Sequence, residues 1–177
     1  CIRDRLGTRD FKRMLAYSSV EHMGILSVGA ALGSAGVAAA LFHVWSNGLT
    51  KGALFLSAGN IRRAAGSPSM DVVSGMSVLT PRSAAIFMTG MFAVTALPPF
   101  GPFFSELQIL RAALTAGHPI ATAVFLGCLL LAFFGLTRVV FGIVDGRPRP
   151  TTRANAKRFA ETAGVIVPPL VLLGLSL

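Results

Sequence analysis

The chain has 177 residues, 53% of them hydrophobic and 13% charged, with a mean hydropathy of +0.69. A soluble domain of this size carries about 25% charged residues, so this composition points to the bilayer as solvent. The formal charge of +9 does not indicate a nucleic-acid binder: the 16 Lys and Arg residues sit mainly in three blocks between apolar stretches, not on one soluble face.

Taken in chain order, a charged segment over residues 1–13 precedes an apolar run over 14–34. A helix of that length measures about 31 Å and crosses the hydrocarbon core. The charged start and the length of the run exclude a signal peptide. An opening Cys in place of Met predicts that the chain is part of something longer. A break at Gly33-Ser34-Ala35-Gly36 leads into a second run over 37–60. The polar connection over 62–82, with Gly66-Ser67-Pro68-Ser69, predicts a loop with at most a short interfacial helix.

The third apolar stretch, 83–117, is too long for one straight span and is broken at Leu97-Pro98-Pro99-Phe100-Gly101-Pro102. A fourth run covers 119–144, a basic loop 145–158, and a last run 160–177. The distribution of basic residues chooses between topologies. If 83–117 crosses once, the N-terminal segment (five Lys/Arg), the 62–82 loop (three) and the 145–158 loop (five) share one side, which gathers 13 of the 16 basic residues. The reading is therefore an all-α, polytopic transmembrane helix bundle of about five crossings, one of them discontinuous, with the basic side cytoplasmic. Non-helical backbone inside a bilayer is tolerated only where protein or a water-filled cavity satisfies it, and transporters place ion sites at such breaks. Pro98, Pro99, Gly101 and Pro102 are the helix-breaking residues. A packing kink explains them equally well at this point.

Ionisable residues inside the runs carry the functional reading. Lys51 lies near the middle of the second run, where a charge costs roughly 3 kcal/mol to insert. His43, Asn47 and Lys51 are spaced by four and line one helical face, which predicts a polar, hydrated seam. Glu106 follows the proline-rich break. Whether Glu106 and Lys51 pair directly is open. Glu21 and His22 lie about two turns into the first run, Glu21 on one face with Tyr17 and His22 on the next with Ser18. Glu21 is also the residue that a basic neighbour near the interface would explain. Arg111 and Arg138 read as anchors that snorkel from helix ends. Cys1 and Cys128 offer no disulfide and no thiolate set for an iron–sulfur centre. There is no Walker loop, dinucleotide fingerprint or metal-ligand pattern, so neither a catalytic site nor a cofactor is expected.

The run Asp10-Phe11-Lys12-Arg13-Met14-Leu15-Ala16-Tyr17-Ser18-Ser19-Val20-Glu21-His22-Met23-Gly24 resembles a signature of the antiporter-like subunits of respiratory complex I, membrane-bound hydrogenases and Mrp-type sodium/proton antiporters. Two further segments are similar in the same order: Phe42-His43-Val44-Trp45-Ser46-Asn47-Gly48-Leu49-Thr50-Lys51-Gly52-Ala53-Leu54-Phe55-Leu56, like the lysine-bearing helix of that family, and Leu97-Pro98-Pro99-Phe100-Gly101-Pro102-Phe103-Phe104-Ser105-Glu106, like its broken helix. The form Ser-Ser-Val-Glu-His-Met-Gly with a later glutamate on the broken helix looks most like hydrogenase-4 component F.

The resemblance implies the last five of about fourteen spans, with the first repeat outside this chain. It implies that Lys51 is the central relay lysine, that His43 and His22 are connecting groups and that Glu106 is the terminal group near the exit. Asn47 departs from the histidine that many relatives carry, so water would bridge there. The implied partners are other membrane subunits and a peripheral hydrogenase or dehydrogenase arm in the inner (plasma) membrane, with protons or sodium as the ion moved. A stand-alone cation/proton antiporter and a truncated scaffold remnant are the alternatives.

Overall fold

The computed structural model describes residues 11–66, 73–144 and 161–177. Most of the charged N-terminal segment, part of the 62–82 connection and the basic loop 145–158 lie outside the described residues. The described chain is helical: α1 (Phe11–Ala31), α2 (Gly33–Ala65), α3 (Met76–Leu79), α4 (Pro81–Val94), α5 (Gly101–Thr115), α6 (Pro119–Val144) and α7 (Ala163–Leu175). Of these, α6 alone is both long and apolar enough to pass as a membrane span by length and composition. The others either carry polar residues on an inner face or are short.

One residue, Leu32, separates α1 from α2, and Gly33 takes φ +75°, a conformation that L side chains rarely adopt. The chain therefore reverses sharply and α1 and α2 form an antiparallel hairpin. Its register is fixed where two glycines meet. A Cβ on Gly29 would lie 3.0 Å from the Ala40 Cβ, and one on Gly36 would run into the Gly29 carbonyl oxygen. Glycine there lets the backbones come close enough to lock, as small residues do between helices in lipid.

α2 is the axis of the molecule, in contact with α1, α4, α5 and α7. The apolar run expected over 37–60 lies within this longer helix. It continues through Arg62 and Arg63 and stops at Gly66 (φ +70°), whose N–H bonds the Arg62 carbonyl at 2.9 Å. This is the left-handed glycine stop, with cations in the last turn where the helix dipole favours them.

The inner face of α2 is polar at His43, Ser46, Asn47, Thr50, Ser57 and Asn60, while Leu41, Trp45, Phe55 and Leu56 face outward. That inversion of a soluble helix suits a solvent of hydrocarbon. An apolar cluster of Leu54, Ile61, Phe87, Met91, Val140 and Ile143 joins α2, α4 and α6. Among the described residues of the 62–82 connection there is a single helical turn, α3.

Residues 95–100 between α4 and α5 are not helical. Their donors are nonetheless satisfied. Leu97 N–H bonds the Phe92 carbonyl (3.0 Å), Phe100 N–H that of Leu97 (3.2 Å), and Gly101 N–H the carbonyl of Ser176 (2.7 Å). Pro98 and Pro99 are exposed in this stretch, while Gly101 and Pro102 are buried at the first turn of α5. A Cβ on Gly101 would come 2.6 Å from the Ser46 Cβ and 2.9 Å from the Ser176 oxygen, so α2, α5 and the end of α7 meet on a glycine.

The start of α4 is closed differently. The Glu161 carboxylate, just before α7, accepts from the backbone N–H of Ser83 (2.7 Å) and of Arg82 (3.2 Å). An anion at a helix N-terminus contributes about 0.3–1 kcal/mol, and up to about 2 when partly buried. Glu161→Gln is therefore expected to lower thermal stability by about 1 kcal/mol, read as a reduced Tm in detergent. An unchanged Tm would show that this contact contributes nothing.

Candidate functional site: a buried histidine chain

Three helices bring the site together. His22 comes from α1, His43 from α2, and Ser105 and Glu106 from α5. All are buried, with relative exposures of 2% for His22, 0% for His43 and 6% for Glu106. His22 Nδ1 lies 3.0 Å from His43 Nε2, with ring centroids 5.1 Å apart. His43 Nδ1 lies 2.8 Å from Ser105 Oγ, and Ser105 Oγ lies 2.8 Å from the Pro102 carbonyl oxygen.

The direction of this chain follows from donor and acceptor counting. A carbonyl oxygen only accepts, so the single serine proton goes to Pro102. Ser105 Oγ then accepts from His43 Nδ1–H. Neutral His43 thus has a bare Nε2, and His22 must donate to it from Nδ1–H. The tautomers are assigned from the network, and the network allows one assignment that satisfies every contact. The backbone carbonyl at the start of α5 thereby fixes the proton positions on two histidines.

Lys51 lies on the same face of α2, two turns beyond His43. Its Nζ donates to Ser19 Oγ of α1 at 2.9 Å, and Ser19 Oγ donates to the Leu15 carbonyl at 3.2 Å. Lys51 is half-buried, and the half-buried Glu21 lies within its electrostatic reach. The question of pairing that the sequence leaves open is answered by the packing: Lys51 turns toward α1, while Glu106 sits beside the histidines. Between these two clusters lie two buried polar atoms without a hydrogen-bond partner, Ser18 Oγ and Asn47 Oδ1. Ser18 is one turn from His22 and Asn47 one turn from His43, both on the Lys51 side. A buried polar pair left open in this way is where an ordered water belongs.

Glu106 has a second environment. With Thr95, Leu97, Phe103, Leu126 and Phe133 it lines a cavity of about 370 Å³ between α5, α6 and the non-helical stretch. The carboxyl group therefore lies close to the histidine chain and also lines a space large enough for water. His22, His43 and Glu106 also each offer a ligand atom, all within 4.8 Å of one another, a grouping that no spacing in the sequence announces. Arg111 and Arg138 are exposed, away from these contacts.

A sequence profile of the membrane family described as NADH:quinone oxidoreductase/Mrp antiporter matches residues 5–134. The chain belongs to this family. Among curated members, a hydrogenase-4 component F homolog of Methylacidiphilum infernorum is 34% identical over 176 residues, covering 93% of this chain and 36% of its own length. The NADH-quinone oxidoreductase subunit N of Desulforudis audaxviator is 32% identical over 179 residues, with 96% and 36% covered. The chain thus spans about a third of the length of these relatives. The Mrp complex of Dietzia sp. DQ12-45-1b contains a chain of the same fold, with a TM-score of 0.79 at 24% identity over 92% of this chain and 38% of that one. Membership in the NADH:quinone oxidoreductase/Mrp antiporter family makes this a membrane protein, and its relatives are antiporter-like subunits of multi-subunit assemblies.

Two contributors escape a reading of the sequence. Ser105 and Ser19 are the hydrogen-bond partners of His43 and Lys51. Serines in helices ordinarily bond to their own preceding turn, and both of these do so as well. The one available signal is position, Ser105 directly before Glu106 and Ser19 two residues before Glu21.

Proposed function

We propose that the chain is the proton-relaying part of an antiporter-like membrane subunit in a redox-driven complex, of the membrane-bound hydrogenase or NADH-quinone oxidoreductase kind. The observation that carries this reading is the continuous hydrogen-bonded series His22–His43–Ser105, with Glu106 alongside it at the edge of a cavity. Groups that exchange protons must lie within hydrogen-bond reach, directly or through one water. The histidine pair meets that condition directly, and ordered water beside the unpartnered Ser18 Oγ and Asn47 Oδ1 would extend the series toward Lys51.

In this reading the chain crosses the plasma membrane five times, with α4 and α5 as the halves of one interrupted crossing and the basic connections cytoplasmic. Lys51 accepts and releases protons on one side of the water gap, the histidines carry them across α1 and α2, and Glu106 hands them to the cavity. Glu21 adjusts the charge beside Lys51. Redox chemistry in a peripheral arm supplies the driving force, and neighbouring membrane subunits complete the path.

The test uses the full-length subunit in its complex, reconstituted into vesicles, with a pH-sensitive dye reporting proton movement. Lys51→Ala and Glu106→Gln are each expected to abolish proton transfer, at least ~100-fold, while the partner subunits still assemble and electron transfer remains measurable. Normal pumping by both variants would remove these residues from the path. Sodium-dependent exchange in vesicles without a redox partner would replace the redox-driven reading with cation/proton exchange.

A further inference from the structure

We infer that His22, His43 and Glu106 form a buried binding site for a borderline transition-metal ion, zinc above all. Two imidazoles and one carboxylate are a recognised ligand set for Zn²⁺ with an open fourth position. Here they come from three different helices, so the trio is assembled by the fold.

The geometry is close to what the ion needs. Tetrahedral zinc holds its nitrogens at about 2.0–2.1 Å, which places two of them roughly 3.3 Å apart. His22 Nδ1 and His43 Nε2 are 3.0 Å apart, and the candidate ligand atom of Glu106 lies within 4.8 Å of both. Side-chain rotation of a few tenths of an ångström opens the imidazole pair, and a somewhat larger swing brings in the carboxylate.

The outer contacts favour the same atoms. A metal-bound histidine usually donates its other ring N–H to a fixed acceptor, which holds the tautomer. His43 already does so, through Nδ1–H to Ser105 Oγ, and this leaves Nε2 bare for an ion. His22 gives up the Nδ1 proton, which moves to Nε2 or is released, and its Nδ1 lone pair becomes the second ligand. The cavity beside Glu106 has room for the water that completes the shell. Glu106 loses its proton when it ligates the ion and so brings one negative charge to it, and Lys51, the nearby cation, is hydrogen-bonded to Ser19 on α1.

The ion takes the lone pairs that pass protons between the histidines, so a bound ion blocks the chain. That consequence rests on the relay reading. The binding itself does not.

The experiment titrates Zn²⁺ into the purified full-length complex and counts metal retained after gel filtration, with Co²⁺ substitution to read the tetrahedral d–d absorption bands. Wild type is expected to hold one more equivalent than His22→Ala or Glu106→Gln, and Ser105→Ala to bind at least tenfold more weakly than wild type, since loss of an outer contact costs about 10–100-fold. Glu106→Gln keeps the shape of the side chain, so a loss there is not a folding failure. Equal metal content in wild type and both ligand variants overturns the site and leaves the relay reading untouched. One site-dependent equivalent that does not slow proton transfer keeps the site and overturns the relay reading. Inhibition of wild type at Zn²⁺ concentrations where this equivalent is absent places the inhibitory metal elsewhere and overturns the block.

Discussion

His43→Phe is expected to slow proton translocation by the full-length subunit at least ~100-fold, the lower range for loss of a group that transfers protons directly. The substitution keeps a planar ring in a fully buried position, so packing between α1, α2 and α5 survives. Both polar contacts are lost. His22 no longer has an acceptor for Nδ1–H, and Ser105 keeps only its bond to Pro102. Dye-reported acidification in vesicles gives the rate, and co-purification of the partner subunits shows that assembly is intact.

Ser105→Ala separates relay from packing. It leaves His43 Nδ1–H without an acceptor, and an unsatisfied buried donor costs about 1–3 kcal/mol, so a loss of about tenfold follows if that cost falls on the transfer step. Ser105→Thr, which retains the hydroxyl, is expected to restore the rate. If His43→Phe stays within about threefold of wild type, a relay through this histidine is wrong; threefold is under 1 kcal/mol of barrier.

The second large effect is structural. Gly36→Ala places a methyl group against the Gly29 carbonyl oxygen and 2.6 Å from the Leu32 Cβ. Neither is the far end of a flexible side chain, so the backbone has to move. Overpacking of this kind costs about 1–3 kcal/mol. The functional consequence is larger than that figure suggests. Gly29 and Gly36 are each seven residues, or two turns, from His22 and His43, so the glycine contact sets the level at which the two imidazoles meet. Spreading or sliding the hairpin by an ångström takes 3.0 Å out of hydrogen-bond range. Gly36→Ala is therefore expected to lower Tm and suppress proton transfer together, whereas Gly24→Ala, at a position with open space around it, should change neither. Wild-type transport by Gly36→Ala would show that the hairpin register is not fixed there.

These contrasts also mark what a sequence can reveal. The His43–Asn47–Lys51 stripe was legible because a spacing of four is a geometric statement about a helix. In the structure His43 and Asn47 are buried and Lys51 is half-buried, while Leu41 and Trp45 face out. The helical class was legible from long apolar runs without strand alternation. Glu106 could be singled out as a carboxylate in an apolar setting, but its neighbours could not, because the approach of α5 to the α1–α2 hairpin is a tertiary fact with no local signature. The same holds for Glu161. It follows the basic loop in sequence and gives no hint that it will cap a helix beginning eighty residues earlier.

Asn47 is an amide and cannot titrate. Its buried, unpartnered Oδ1 is a place where an ordered water would be held.

The one-residue turn at Leu32 has a further consequence, for the order in which the molecule is made. α1 and α2 are consecutive and joined almost without a loop, so their contacts need little chain to be searched and can form as soon as both helices have left the ribosome. The imidazole pair can then form before α5 has docked, and for that interval His43 Nδ1 has no serine to hold it. Arrival of α5 supplies the missing acceptor and the carboxyl group in one docking event, and α7, later in the chain, brings the Ser176 carbonyl to the Gly101 N–H. The buried histidine chain is thus assembled vectorially, from the imidazoles outward, and its hydrogen-bond direction is set only when α5 is in place.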